Sequence, residues 1–142
     1  MRALVVEDDF ASRKIVQKIL GHFFECDVAV NGEEALAAFD DAHSSQTPYT
    51  LICLDVMMPN MDGHEVLKQV REKEEALDVG GLAGVKVIMT TGRDDKESIL
   101  SAFREGCEAY LTKPINREDL LSKLHELGLI TDIQLQSASK DS

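Results

Sequence analysis

The sequence has no tryptophan, and aromatic residues make up only 5% of its 142 residues. Proteins that bind exposed bases rely on aromatic stacking, so this scarcity argues against base recognition as the main function. Basic residues are also few, 15 against 26 acidic ones, which gives a formal charge of -11. That charge disfavours nucleic acid and an anionic membrane surface as partners. It favours solubility or a choice of basic partners.

Cysteine motifs are missing as well, since Cys26, Cys53 and Cys107 form no Cys-x-x-Cys pair. An odd number of cysteines, one of them inside an apolar run, favours reduced thiols and a cytoplasmic location. The apolar run after Met1 spans only a few residues, so we expect neither a signal peptide nor a membrane span. The length fits one domain with a buried core.

Short apolar runs alternate with helical patterns along the chain and predict five strands and five helices. The predicted strands are residues 4–6, 26–30, 49–54, 85–89 and 109–111. The third is the most continuously apolar, as expected of a central strand that is covered on both faces. The alternation predicts a doubly wound, five-stranded parallel sheet with a site beyond the carboxyl ends of its strands.

Turn and capping residues delimit the helices. Asn31, Asp62 and Asn116 are predicted to cap the second, third and fifth helices. A single domain is expected over residues 1–128, followed by a polar tail over 129–142 that frays toward its end. The glycine-rich segment 78–84 predicts a long loop to which the sequence assigns no role.

Four charged side chains follow three of the predicted strands. Glu7 and Asp8 come after the first strand, Asp55 after the third and Lys113 after the fifth. If these strands are neighbours, the three carboxylates meet and repel one another, so the site needs a cation. Oxygen ligands favour a hard ion such as Mg²⁺, and a carboxylate beside Mg²⁺ and a lysine can take a phosphoryl group. Taken singly, the same residues would be a solvated turn and a surface lysine.

These positions, together with Thr91 after the fourth strand and Pro114 after Lys113, resemble the receiver domain of bacterial response regulators. Residues 54–63, Leu-Asp-Val-Met-Met-Pro-Asn-Met-Asp-Gly, are similar to the phosphoacceptor signature of that family. The resemblance covers about residues 1–128 and is greatest to stand-alone, CheY-like regulators. It implies a flavodoxin-like fold with the strand order 2-1-3-4-5.

The resemblance implies a role for each matching residue. Asp55 would accept a phosphoryl group from a phosphohistidine on a histidine kinase or a histidine phosphotransferase. The ligands of Mg²⁺ or Mn²⁺ would be Glu7, Asp8, Asp55 and the backbone carbonyl of Met57. Lys113 would pair first with Asp55 and then with the phosphoryl oxygens.

Two further residues would carry the signal. Thr91 would donate its hydroxyl to the phosphoryl group, although Thr90 beside it is the alternative and either could simply pack at the strand end. Tyr110 matches the aromatic that swings inward when Thr91 moves, or it fills the core. The Lys113–Pro114 bond is expected to be cis.

Met57, two residues past Asp55, and Arg93, two past Thr91, differ from the polar residues common in the family. The resemblance places both beside the path of the hydrolytic water, so we expect autodephosphorylation to be slow without a phosphatase. The histidines share no metal-ligand spacing and are interpreted as surface or packing residues. They are His22, His43, His64 and His125.

The leading hypothesis is a phosphorylation-controlled binding module, not an enzyme beyond its own phosphorylation and dephosphorylation. It would contact proteins through the face of the fourth helix, fifth strand and fifth helix, as a monomer or a phosphorylation-dependent dimer. A phosphorelay intermediate that passes phosphate from Asp55 to another histidine stays open. Aspartyl-nucleophile phosphatases use a second aspartate two residues after the nucleophile as an acid/base, and this chain has Met57 at that position after Asp55. A flavin or nucleotide carrier would need glycines or hydroxyls in place of residues 7–9.

Overall fold

The computed structural model describes residues 1–79, 84–92 and 96–140. Arg93 and residues 80–83 of the glycine-rich segment lie outside these ranges. Within them, five strands form one parallel sheet. The strands are β1 (Arg2–Val6), β2 (Glu25–Ala29), β3 (Leu51–Asp55), β4 (Lys86–Thr91) and β5 (Ala109–Thr112). Their order is β2-β1-β3-β4-β5, which confirms the predicted fold and strand order.

The same ranges contain six helices, α1 (Phe10–Leu20), α2 (Gly32–Ser44), α3 (Gly63–Ala76), α4 (Lys96–Arg104), α5 (Arg117–Glu126) and α6 (Asp132–Lys140). The three predicted caps are confirmed, because Asn31, Asp62 and Asn116 each accept a hydrogen bond from a backbone N–H in the first turn of α2, α3 or α5. Each cap pairs a donor that would otherwise lack a partner within its helix. None of the described helices is both long and apolar enough to cross a membrane.

Helices cover both faces of the sheet and bury two core layers. One layer lies between the sheet and α2, α3 and α4, and the other between the sheet and α1, α5 and α6. Alternate residues of β3 serve the two layers: Ile52 and Leu54 face the first, and Leu51 and Cys53 face the second. All five residues of β3 are buried, as predicted for the central strand.

Residues 132–140 contradict the prediction of a frayed tail, because they are helical. Residues 132–140 form α6, which packs on α5. Ala138 is buried, and its carbonyl accepts a hydrogen bond from the Arg117 guanidinium at 3.2 Å. Thr131 and Gln134 exchange side-chain to backbone hydrogen bonds of 2.8 and 3.1 Å at the start of the helix. This capping box is a sequence signal for a helix start that the polar composition of the segment obscures.

Candidate functional site

Three carboxylates meet at the carboxyl end of the sheet. β1 and β3 are adjacent and parallel, with Val6 paired to Leu54. The next residues along the two strands, Glu7 and Asp55, therefore come side by side. Glu7, Asp8 and Asp55 each bring a carboxylate oxygen to within 4.8 Å of the other two. Glu7 and Asp55 are buried, whereas Asp8 is exposed.

Lys113 joins the acids from the direction of β5, which it directly follows. Its backbone N–H donates to the carbonyl of Thr91 at the end of β4, with an N···O distance of 2.6 Å. Its Nζ lies 2.5 Å from Glu7 Oε1 and 3.2 Å from Asp55 Oδ1. The peptide bond to Pro114 is cis, as the resemblance implied. The four predicted charged groups thus form one cluster.

The cluster alters the acidity of its members. Burial and the neighbouring Glu7 carboxylate raise the pKa of Asp55 to about 7, although Lys113 opposes this rise. Burial alone would lower the pKa of the Lys113 ammonium, but its hydrogen bonds and its attraction to the two carboxylates raise it overall. Lys113 is therefore charged at neutral pH, while Asp55 is divided between its protonated and ionised forms.

The donor set of the cluster fits a hard divalent cation. The side-chain oxygens are all carboxylate oxygens, which Mg²⁺ prefers, and one paired lysine leaves them with excess negative charge. The backbone N–H groups of Asp9 and Met57 donate to Glu7 Oε2 and Asp55 Oδ1, each at 3.2 Å. These bonds hold two of the carboxylates in place. The Met57 backbone thus lies at the cluster, and its carbonyl as a ligand stays a prediction.

The two threonines at the end of β4 are both buried. Thr90 pairs with Asp55 in the sheet register, and Thr91 is the next and last residue of the strand. The carbonyl of Thr91 accepts the backbone hydrogen bond of Lys113, which joins the end of β4 directly to the residue that follows β5. The choice of Thr91 as the hydroxyl that meets a phosphoryl group stays a prediction.

Tyr110 is half-buried on β5 and packs against the core layer beneath α2, α3 and α4. Its hydroxyl oxygen lies 3.4 Å from Oγ of Ser98 on α4. The ring therefore lies between the core and the solvent, where a rotation would change how much of it is buried. Its part in a switch stays a prediction.

The turn that follows β3 depends on Gly63. Its N–H donates to the Val56 carbonyl at 2.9 Å, and a Cβ atom here would lie 2.4 Å from the carbonyl oxygen of Asp55. A residue without a side chain is needed for α3 to begin so close to the end of β3. Met57 is on this turn with its side chain 53% exposed, whereas Arg93 lies outside the described residues.

A polar chain beside the site could not be predicted from sequence spacing. His64, predicted to be a surface or packing residue, bonds Glu105 Oε1 through Nδ1 at 2.8 Å and Ser98 Oγ through Nε2 at 3.1 Å. These partners lie 41 and 34 residues further along the chain. The ring therefore joins the start of α3 to α4.

A cavity of about 790 Å³ does not include the Glu7, Asp8 and Asp55 cluster and is lined mainly by residues of β2 and α2. At its wall, Arg2 lies 2.5 Å from Asp27, and the Tyr49 hydroxyl donates to the same carboxylate at 2.7 Å. Because these groups satisfy one another, they offer no reactive charge comparable to that of the acid cluster.

Comparison with known families gives one domain-wide match. The model of the response regulator receiver domain matches residues 3–125. Among solved structures, a CheY-like receiver domain protein from Methanospirillum hungatei has a TM-score of 0.73 and 27% identity, covering 99% of this chain and 98% of that chain. CheY4 of Vibrio cholerae has a TM-score of 0.72 and 29% identity, covering 89% of this chain and 97% of that one.

Curated relatives are longer than this chain. It is 34% identical to hybrid signal transduction histidine kinase L of Dictyostelium discoideum, covering 89% of this chain and 7% of that protein. It is 28% identical to the probable transcriptional regulator ycf29 of Porphyra purpurea, covering 98% of this chain and 61% of that protein. It is 34% identical to response regulator MprA of Mycobacterium avium, covering 89% of this chain and 50% of that protein. The chain thus spans less than two thirds of each of these relatives.

Proposed function

We propose that this chain, which belongs to the response regulator receiver domain family, is a phosphorylation-controlled switch in two-component signal transduction. One observation carries the proposal, the gathering at one end of the sheet of Glu7, Asp8, Asp55 and Lys113. The receiver unit is residues 1–128, and residues 129–142 extend it. Free thiols at all three cysteines support a cytoplasmic place of action.

Asp55 is the proposed nucleophile. In its ionised form, a carboxylate oxygen attacks the phosphorus of a phosphohistidine on a histidine kinase or a histidine phosphotransferase. An O–P bond forms while the P–N bond breaks, and the electron pair of the broken bond leaves with the imidazole nitrogen. Lys113, 3.2 Å from Asp55 Oδ1, offsets the negative charge of the transferring group.

The proposed ligands of Mg²⁺ or Mn²⁺ are the carboxylates of Glu7, Asp8 and Asp55 and the backbone carbonyl of Met57. When bound, the ion supplies positive charge that offsets the charge on the phosphoryl oxygens. The backbone N–H groups that bond Glu7 and Asp55 already hold these two carboxylates, so little of their freedom is lost on binding.

Phosphorylation adds about one negative charge at Asp55. Lys113 and the hydroxyl of Thr91 then move toward the phosphoryl oxygens. Because the Lys113 N–H is bonded to the Thr91 carbonyl, the ends of β4 and β5 move together. Tyr110 turns inward into the space that Thr91 leaves, so phosphate shifts the balance between two conformations.

The surface that this movement alters is the α4-β5-α5 face. A cavity of about 480 Å³ lies there, lined by residues of all three elements and by Tyr110. On α4, Leu100 and Phe103 are 53% and 46% exposed, which provides apolar area for a partner to cover. A downstream protein binds this face in our proposal, whether the receiver is a monomer or a phosphorylation-dependent dimer.

A mass measurement tests the central claim. After incubation with Mg²⁺ and acetyl phosphate or phosphoramidate, the protein should gain the mass of one phosphoryl group. Asp55→Asn should gain none, whereas Asp41→Asn, a change at an exposed acid of α2, should behave like the wild type. A wild-type mass that does not change would overturn the proposal.

A phosphorelay intermediate is the second candidate. The chain is 34% identical to part of a hybrid signal transduction histidine kinase, and this likeness favours a relay role. In a relay, a histidine phosphotransferase takes the phosphoryl group from Asp55. Labelled phosphoprotein mixed with purified phosphotransferases would pass its label on if it relays, and would release only inorganic phosphate if it does not.

The proposed acyl phosphate is long-lived. The exposed Met57 thioether is at most a weak acceptor and cannot hold the attacking water well. Arg93, the other residue expected to slow hydrolysis, lies outside the described residues. After the donor is removed, we expect the phosphoryl mass to persist for minutes or longer and to decay faster in Met57→Asn. Decay of the wild type within seconds would contradict this.

A further inference from the structure

His64 lies next to a glycine that packs against the end of β3. It is the second residue of α3 and directly follows Gly63, whose backbone lies so close to Asp55 that a Cβ would be 2.4 Å from the Asp55 carbonyl oxygen. The N–H of Gly63 is also bonded to the Val56 carbonyl at 2.9 Å. His64 is therefore only one residue away from the backbone contact between Gly63 and the end of β3.

The ring of His64 holds α4 at two points. Its Nδ1 is 2.8 Å from Glu105 Oε1, and its Nε2 is 3.1 Å from Ser98 Oγ. Ser98 lies in the first turn of α4 and Glu105 directly follows its last turn, so the two bonds span the helix. Ser101 Oγ donates to the same Glu105 oxygen at 2.8 Å and fixes the carboxylate.

The chain of bonds continues to Tyr110, whose hydroxyl lies 3.4 Å from Ser98 Oγ. A carboxylate only accepts, so Nδ1 of the ring donates to Glu105. The Ser98 and Tyr110 hydroxyls can each donate or accept, so Nε2, Ser98 and Tyr110 can complete the chain with either sense of donation. The three contacts thus link Tyr110 to Glu105 through Ser98 and His64.

We propose that His64 is a positioning residue that holds α4 and Tyr110 in the unphosphorylated arrangement through Ser98 and Glu105. This rests on the proposed function, in which Tyr110 turns inward once Asp55 is phosphorylated. The inward turn breaks the contact between Tyr110 and Ser98, so the polar chain opposes the switch. Loss of the His64 ring shifts the balance toward the switched conformation before any phosphate arrives.

The test uses the whole chain labelled with 3-fluorotyrosine. The sequence has two tyrosines, so the ¹⁹F spectrum reports Tyr110 and Tyr49 separately. Tyr49 bonds Asp27 of β2, the edge strand opposite β5, and serves as the internal reference. Beryllium fluoride with Mg²⁺ replaces the phosphoryl group, and its affinity is the second readout.

In His64→Leu without the mimic, the Tyr110 signal should move toward its position in the mimic-bound wild type. The affinity for the mimic should rise about threefold to tenfold, the effect of one lost hydrogen bond. Ser98→Ala should do the same, and His64→Gln, which restores a donor, should return both readouts toward the wild type. His125→Leu removes a histidine that bonds Asp132 instead and should change neither.

A double-mutant cycle separates positioning from a general loss of stability. Tyr110→Phe removes the far end of the chain, so adding His64→Leu to it should change the affinity by less than about twofold. An equal effect of His64→Leu in both backgrounds would overturn the inference. So would a wild type that binds the mimic and shifts Tyr110 while His64→Leu alters neither readout. A wild type that binds no mimic would overturn the proposed function as well.

Discussion

Asp55 has to be buried and ionised at once, and these two conditions oppose each other. Burial excludes water from the nucleophile, but it also favours the protonated form, and the nearby Glu7 carboxylate adds to that preference. The pKa of about 7 that results leaves the nucleophile only partly ionised in the absence of further cations. Lys113 moderates this effect, and a divalent ion would remove it.

Mg²⁺ binding should therefore be linked to a proton. Since the folded pKa of Asp55 lies above its ordinary value near 4, ionising this group costs stability as the pH rises from about 4 through 7. Mg²⁺ requires the ionised form, so its dissociation constant should rise about tenfold per pH unit below 7 and level off above it. Calorimetry in buffers of different ionisation enthalpy should find that Mg²⁺ binding releases more protons at pH 6 than at pH 8.

Asp55→Asn is the control for this linkage, since adding Mg²⁺ to this variant should release no proton at either pH. Equal release by the wild type at pH 6 and pH 8 would contradict the assignment of the linked proton to Asp55.

Lys113→Ala should separate metal binding from switching. The ammonium bonds Glu7 and Asp55 but supplies no ligand, so Mg²⁺ should still bind, while the shift of the Tyr110 signal with beryllium fluoride should largely vanish. Without metal, the free energy of unfolding of Lys113→Ala should be about 1–3 kcal/mol lower than that of the wild type at pH 7, because two buried carboxylates lose their cation. Urea unfolding measures this, and Lys68→Ala, at an exposed lysine of α3, should lose far less. A full Tyr110 shift in Lys113→Ala would contradict the role of the lysine.

At the scale of elements, the site exists because parallel strands end at the same edge. β3 supplies Asp55 and β4 supplies Thr91 as their last residues, while Glu7 and Lys113 directly follow β1 and β5. Adjacent strands lie about 4.8 Å apart, so side chains at their ends come within reach of one ion. The start of α3 must then pass beneath Asp55 without displacing it, which Gly63 permits.

Gly63→Ala should therefore affect both stability and chemistry. Its Cβ would meet the Asp55 carbonyl oxygen at 2.4 Å and the Val56 Cα at 2.9 Å, and neither backbone atom can move without moving the acceptor. We expect a loss of about 1–3 kcal/mol in urea unfolding and slower phosphorylation by acetyl phosphate. Gly92→Ala is the control for stability, because no heavy atom of the described residues lies within 4 Å of its Cβ position. Equal free energies of unfolding for the two variants would contradict the interpretation that a Cβ at position 63 collides with the backbone of Asp55 and Val56.

At the scale of the molecule, the fold and the acid cluster were predictable for one reason. The apolar runs mark the strands, and in a doubly wound sheet the residues after each strand share one edge. Glu7, Asp8, Asp55 and Lys113 could therefore be located from sequence and were found together. The order of the strands followed from the resemblance, because periodicity alone does not order strands.

Two features escaped prediction for different reasons. α6 carried a capping box at Thr131 and Gln134, but its burial depends on tertiary contacts such as that between Arg117 and Ala138. Sequence polarity does not report such contacts. The bonds of His64 join residues of α3 and of the α4 region that only the fold brings together, so the role of His64 could not be predicted from sequence spacing.

The formal charge of -11 acts on the whole molecule, since like charges repel more in a compact fold than in an unfolded chain. NaCl and MgCl₂ should both screen this repulsion and raise the Tm. MgCl₂ should raise it further at matched ionic strength, because Mg²⁺ binds the folded cluster. Linkage gives this increment as about 1.4 kcal/mol when the free ion is at ten times its Kd.

Thermal unfolding followed by circular dichroism separates the two contributions. Asp8→Asn removes the exposed carboxylate of the cluster and should abolish most of the Mg²⁺ increment while keeping the response to NaCl. Asp41→Asn removes the same charge from α2, away from the cluster, and should keep both. If the Tm of the wild type rose equally with NaCl and MgCl₂ at matched ionic strength, the cluster would bind no Mg²⁺ and the salts would act only by screening. The charge on the phosphoryl group would then be offset by Lys113 alone.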